Sequence, residues 1–219
     1  MSKKVGVVHT FLYSVEDIKA LFKKYIPEVE MVNIIDDSLL EEALANKGIT
    51  PQIVRKMCKY ALEAEEMGCD CVLSQCSSMG ETVNIARRML RIPFLKIDEP
   101  MAAEAVRLGS RVAVIATAIS TVEPSSRLVE EMAARVGKDV SVSRCFADGA
   151  YDALLKQGDR DKHNEILIKK ITEAANEHDV IVLAQGSMYH LMPLLADIKI
   201  PVLTSLESGV IQIRKALNL

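Results

Sequence analysis

Leu73-Ser74-Gln75-Cys76-Ser77-Ser78-Met79-Gly80-Glu81 stands where a short apolar run, Cys71-Val72-Leu73, meets a stretch of helical spacing from Thr82 to Leu90. The run reads as a buried parallel strand and the stretch as a helix that ends in Arg87, Arg88 and Arg91. A cysteine among small hydroxyl residues therefore occupies a strand-to-helix turn. The unpaired N–H groups and positive dipole end of the helix favour a thiolate or a bound carboxylate there. Simple packing is the competing reading, since free cysteine is among the most buried residue types.

Working outward, the chain alternates strand and helix. Val5-Gly6-Val7-Val8 is a strand leading into His9-Thr10-Phe11-Leu12-Tyr13-Ser14, and Val15 to Tyr25 follows as an amphipathic helix with Ser14 at its N-cap. Val29 to Ile35 is a second strand and Leu39 to Ala45 a short helix. Thr50-Pro51 opens a longer helix that Gly68 closes. A strand around Pro93 to Ile97 and a helix from Pro100 to Leu108 complete the pattern.

The second half repeats it. Val112 to Thr117 lies on Val5 to Thr10, and Thr121-Val122-Glu123 lies on Ser14-Val15-Glu16, both at an offset of 107. Leu183-Ala184-Gln185-Gly186-Ser187 answers Leu73-Ser74-Gln75-Cys76-Ser77 at 110, and Ile200 to Glu207 answers Ile92 to Glu99 at 108. The expected fold is α/β with two pseudo-twofold halves, 1–109 and 110–219, each a parallel sheet flanked by helices.

Ligands of parallel sheets sit beyond the carboxyl ends of the strands, so an active-site cleft is expected between the halves. Its candidate lining is rich in small donors: Thr10, Ser14, Cys76, Ser77, Ser78, Thr117, Ser120, Thr121 and Ser187. Such a lining suits a small carboxylate held by neutral hydrogen bonds and helix N-termini. Each hydroxyl taken singly also fits plain N-capping. Phe11, Tyr13, Met79, Met188 and Tyr189 suggest an apolar group beside the carboxylate. His9 reads equally as a proton carrier or a hydrogen-bonded strand-end residue, whereas His163, His178 and His190 read as surface or loop residues.

Composition narrows the classes. Of 219 residues, 49% are hydrophobic and 26% charged, with net charge −3, an ordinary globular balance. With 4% aromatics, no tryptophan and no basic run, a nucleic-acid platform is not expected. No apolar stretch is long enough for a membrane helix and no signal peptide is visible, so a cytoplasmic location is expected. The odd count of five cysteines fits a reducing compartment. No phosphate or metal motif appears, and Cys69-Asp70-Cys71 lacks the spacing of a zinc site, so no metal and no cofactor are expected. The apolar helix faces suggest a homo-oligomer.

Gly6 to Thr10, Gln75 to Ser78, Val114 to Thr121 and Val182 to Met188 together resemble the aspartate/glutamate racemase superfamily, which also holds hydantoin racemases, maleate isomerases and arylmalonate decarboxylases. The resemblance covers nearly the whole chain. It implies cofactor-independent chemistry at the carbon next to a carboxylate, with one cysteine from each half facing the substrate. Cys76 is by this resemblance the first-half acid/base or nucleophile. Thr10, Ser14, Gln75, Ser77, Ser78, Thr117, Ser120, Thr121 and Met188 fall in the substrate-binding turns. In the second-half turn, where the family usually has a cysteine, Ala184-Gln185-Gly186-Ser187-Met188 has none: the internal repeat puts Gly186 opposite Cys76, and a register anchored on Met188 puts Gln185 there. Neither exchanges a proton at neutral pH, so candidates for the second face also include Ser187 and His9. The implied function is a racemase- or isomerase-type enzyme on an amino-acid-like or dicarboxylate substrate. The alternatives are a single-thiol decarboxylase or hydrolase on the same scaffold, or a non-catalytic carboxylate-binding protein.

Overall fold

The computed structural model describes residues 2–219 and contains two four-stranded parallel sheets. The first holds β1 (Lys4–His9), β2 (Glu30–Ile35), β3 (Cys71–Ser74) and β4 (Phe94–Lys96) in the order β2-β1-β3-β4. The second holds β5 (Arg111–Ala116), β6 (Ser141–Phe146), β7 (Val180–Leu183) and β8 (Val202–Thr204) in the order β6-β5-β7-β8. Strand lengths of six, six, four and three residues recur in the same sequence, so the repeat read from the chain is a repeat of structure.

The helices are α1 (Val15–Tyr25), α2 (Ser38–Ala45), α3 (Pro51–Glu66), α4 (Gly80–Ala86) and α5 (Glu99–Leu108), then α6 (Ile119–Val136), α7 (Ala150–Leu155), α8 (Arg160–Ala175) and α9 (Ser205–Leu217). Thr50 caps α3 as expected, its Oγ1 accepting from Ile53 N at 3.2 Å, and Gly68 turns the chain at φ +77°. The helix expected over Thr82–Leu90 is displaced: α4 begins at Gly80 and ends at Ala86. The backbone then closes in tight turns, with Arg88 N bonded to Ile85 O and Met89 N to Ala86 O.

The sheets are covered on both faces, which is why their strands read as continuous apolar runs. In the first, Val8, Val72 and Phe94 pack with α2, α3 and α4. In the second, Val112, Val114, Val180 and Val182 face α5 and α6, while Ile115, Ile181 and Leu183 face α8. Gly6 is fixed by one such contact, since a Cβ there would meet Ala64 Cβ at 2.8 Å.

The compact units do not part at 109/110. One consists of residues up to Pro100 together with Leu206–Leu219, the other of Met101–Ser205. The helix after the last strand of each sheet is exchanged. Met101, Ala102, Ala105 and Val106 of α5 bury their apolar stripe in the core of β5 and β7. Conversely, α9 packs on the first unit: Gly209 lies against Ile97, Gln212 donates to Lys96 O at 2.8 Å, and Arg214 donates to Tyr25 O at 3.1 Å. Tyr25 also bonds Glu207. No helix among the described residues is long and apolar enough to cross a membrane.

Candidate active site

In the first unit, Gln75 N bonds Val8 O at 3.0 Å as β3 ends, and the chain then turns through the 3-10 segment Ser77–Met79 into α4. From Cys71 to Met79 every residue is buried except Cys76, which keeps intermediate exposure. Cys76 alone in this run is thus only partly buried, although it also packs against the core of β1, β3 and β4. Cys58, Cys69 and Cys71 are buried, and Cys145 is half-exposed on β6 in the other unit.

Burial pushes the Cys76 thiol above its ordinary pKa, with the Asp98 charge adding to the rise. The Thr10 hydroxyl and the Ser78 N–H and hydroxyl oppose it. The sequence argument for a thiolate is thus reversed at rest: α4 is only seven residues long, and desolvation outweighs the donors.

Ser14 stands at the N-cap of α1 without bonding its backbone, and its Oγ instead accepts from Gln75 Nε2 at 2.5 Å. That bond ties the end of β3 to the loop after β1 and leaves Gln75 Oε1 buried and unpartnered. Thr10 Oγ1 likewise has no partner in good geometry, although it lies near enough to the thiol to lower its pKa.

His9 is fully buried and bonds Asn33 Oδ1 through Nε2 at 2.9 Å, which makes Nε2 the protonated nitrogen and Nδ1 a bare acceptor without a partner. Burial and the Lys19 charge hold its pKa below the usual histidine value.

Two charged residues complete the cluster, and the sequence reading missed both. Lys96 and Asp98, at and just beyond the end of β4, are each more than nine-tenths buried. The Lys96 stem and ammonium lie against Gly80, where a Cβ would be 3.7–3.8 Å from Cδ, Cε and Nζ. Alternating charges at the end of Phe94-Leu95-Lys96-Ile97-Asp98 were the signal available, since a buried parallel strand seldom carries them.

In the second unit the hydrogen-bond registers settle which residue matches Cys76. Val5 pairs with Cys71 and Val8 with Ser74; their repeats Val112 and Ile115 pair with Val180 and Leu183. Two residues past Ser74 is Cys76, and two past Leu183 is Gln185. The backbone agrees: Ala184 N bonds Ile115 O as Gln75 N bonds Val8 O, and Met188 N bonds Gln185 O as Met79 N bonds Cys76 O. The repeat read at offset 110, with Gly186 opposite Cys76, is one residue out.

The Gln185 carboxamide is anchored. Its Oε1 accepts from Thr117 N at 2.5 Å, Thr117 Oγ1 at 2.9 Å and Ala118 N at 3.3 Å, occupying the donors at the start of α6. Gly186 and Ser187 are half-buried in the long 3-10 segment Gly186–Leu195, and Met188 is fully buried in the core with Leu183 and Leu191. Ser120 and Thr121 are buried in the first turn of α6. His163, expected at the surface, is fully buried; its Nδ1 donates to Ala150 O at 2.8 Å and ties α8 to α7. No group of three or more metal-ligating side chains occurs among the described residues.

Several solved structures share this fold. A glutamate racemase from Bacillus anthracis superposes with TM-score 0.71 at 14% identity, over 99% of this chain and 82% of that one. An aspartate racemase from Picrophilus torridus gives 0.71 at 17%, over 99% and 94%. An allantoin racemase from Klebsiella pneumoniae gives 0.65 at 18%, over 100% and 89%. No curated protein matches. The family model of Asp/Glu/hydantoin racemases matches residues 12–213, and with it the doubled α/β plan finds its source: the chain belongs to the Asp/Glu/hydantoin racemase family of enzymes.

Proposed function

We propose that this protein is a cofactor-independent enzyme acting on a small carboxylic acid at the carbon next to the carboxylate, with Cys76 as acid/base or nucleophile. One observation carries the reading. Five buried polar atoms without partners, His9 Nδ1, Thr10 Oγ1, Ser74 Oγ, Gln75 Oε1 and Asp98 Oδ1, lie at or just past the carboxyl ends of β1, β3 and β4 in the unit that holds the partly buried Cys76. Among the described residues only Ser125 Oγ and His163 Nε2 share that condition elsewhere. Leaving a polar atom buried and unpaired costs about 1–3 kcal/mol, so such a concentration belongs where a ligand supplies the partners.

Proton removal next to a carboxylate builds an enolate whose charge must be met by donors already in place. Ser77, Ser78 and Thr10 are of the right kind. Gln185 cannot exchange a proton, so strict two-thiol racemisation is not the reaction we assign. Gln185 favours a second reading: a decarboxylase, isomerase or hydrolase that protonates or attacks one face with a single thiol.

The test is a screen of 2-substituted carboxylic acids and dicarboxylates in D2O, followed by proton NMR. We expect exchange or turnover of at least one compound by the wild type and its loss in Cys76→Ala. Activity retained in Cys76→Ala would sink the assignment. Binding without turnover, unaffected by Cys76→Ser, would make the protein a carboxylate-binding protein instead.

A further inference from the structure

One helix carries its charges against its own dipole. Among the described residues α3 alone has neither an acidic residue in its first turn nor a basic one in its last. Arg55, Lys56 and Lys59 come first along it, and Glu63, Glu65 and Glu66 crowd the end where the dipole is negative and disfavours anions. The fold does not ask for this order. The matching sixteen-residue helix before β7, α8, puts Asp161 in its first turn and mixes both signs along its length.

The same helix borders an open groove of about 610 Å³. Val54, Cys58 and Leu62 recur at every fourth residue and give α3 an apolar stripe there. Ile85 and Met89, from α4 and the turn after it, line the same groove and are 39% and 52% exposed. Arg55 and Lys59 border it from the basic half of α3, Glu63 and Glu66 from the acidic half. Arg55 and Glu66 make no ion pair or side-chain hydrogen bond among the described residues. Lys59 and Glu63 meet each other at 3.6 Å on an exposed turn, a pairing weak enough to be exchanged for another.

We propose that this groove is the interface of a homodimer in which α3 packs antiparallel on α3 of a second copy. A twofold axis across the middle of the helix sets the acidic end of each copy beside the basic end of the other, so one arrangement answers both halves at once. The two helix dipoles then also run in opposite directions, and the Val54-Cys58-Leu62 stripes cover one another. A partner of one sign, acidic or basic, would leave half of these charges against like charge, as would a second copy laid parallel. The charge order that is unfavourable in the isolated helix is thus the order that makes its face complementary to itself.

The experiment is sedimentation equilibrium of the full chain. The wild type should have the mass of a dimer at micromolar concentration. Arg55→Glu with Lys59→Glu makes this face of α3 wholly acidic, and Glu63→Lys with Glu66→Lys makes it wholly basic; none of the four residues is buried. Each double variant should weaken self-association by at least about a hundredfold, because like charges then meet across the twofold. Mixed one to one, the two double variants should form a dimer again, and so should a chain carrying all four exchanges. Met89→Asp leaves the α3 charges intact and should also give a monomer, which keeps the test open if a charge-exchanged chain folds poorly. A monomeric wild type overturns the proposal, as does a dimer that survives both double variants or Met89→Asp, or a mixture that stays monomeric. The mass readout needs no substrate, so it succeeds or fails independently of the activity screen.

Discussion

At the carboxyl end of β3 stands a partly buried thiol; at the matching end of β7 stands a carboxamide closed on its own turn. The backbone around the two is the same, down to the bonds from Gln75 N and Ala184 N. The difference lies in what the side chains leave unused. At the carboxyl ends of β1, β3 and β4 five buried polar atoms lack partners, whereas Gln185 Oε1 takes up the free donors of Thr117 and Ala118 itself. A duplicated scaffold can keep its geometry in both copies and its reactive chemistry in one, because strand pairing fixes the backbone while a single side chain decides whether the turn is open.

The largest test of this contrast is kinetic. On a substrate identified by the screen, Cys76→Ala should lower kcat/KM by at least about a thousandfold, the scale of a lost acid/base or nucleophile. Gln185→Ala should cost less than about tenfold, because it removes no proton carrier. Equal losses at the two positions would erase the contrast.

Helix exchange gives the next effect. A Cβ on Gly209 would lie 2.3 Å from Ile97 Cγ1 and 2.4 Å from Ile97 O, so Gly209→Ala must push α9 off the first unit and should cost about 3 kcal/mol. Gly109→Ala, facing Asp179 Cβ at 2.6 Å and Val180 Cγ2 at 2.9 Å, meets side chains only and should cost less. Gly80→Ala meets only the Lys96 side chain at ordinary contact distance and should be nearly neutral. Chemical denaturation midpoints measure all three.

Gln185→Ala should then destabilise by about 2 kcal/mol, since the donors it leaves belong to the buried Thr117 and Ala118. A much larger loss in the same denaturation assay would make the carboxamide a keystone of the second unit rather than a plug.

The smallest effect is shared by both units. His9 and His163 each have pKa values lowered by burial, so the unfolded chain binds more protons below about pH 6.5. Their contribution is complete above that pH and is lost as pH falls toward the folded values. The denaturation midpoint should drop on acidification below pH 6.5, and His9→Gln or His163→Gln should each flatten part of the slope.

The doubled α/β plan was legible because continuous apolar strands and equal landmark spacing survive in the chain itself. The Cys76 turn was legible for the same reason. The exchange of α5 and α9 was not, since an amphipathic stripe says that a helix packs but not on which sheet. The matching of Cys76 with Gln185 needed strand registers, because Gly186 and Gln185 differ by one residue of offset. The protonation of Cys76 was misread because a helix N-terminus is visible in sequence and desolvation is not. Lys96 and Asp98 were hidden by their place in an otherwise apolar strand.

The most direct test of the one-thiol account is stereochemical: incubate the wild type in D2O with its substrate, and follow deuterium incorporation by NMR and configuration by chiral chromatography. The account predicts that deuterium enters from a single face, with one product configuration throughout, and that Cys76→Ala abolishes incorporation while Gln185→Ala retains it. Racemisation keeping pace with deuterium entry, or incorporation that survives in Cys76→Ala, would contradict it.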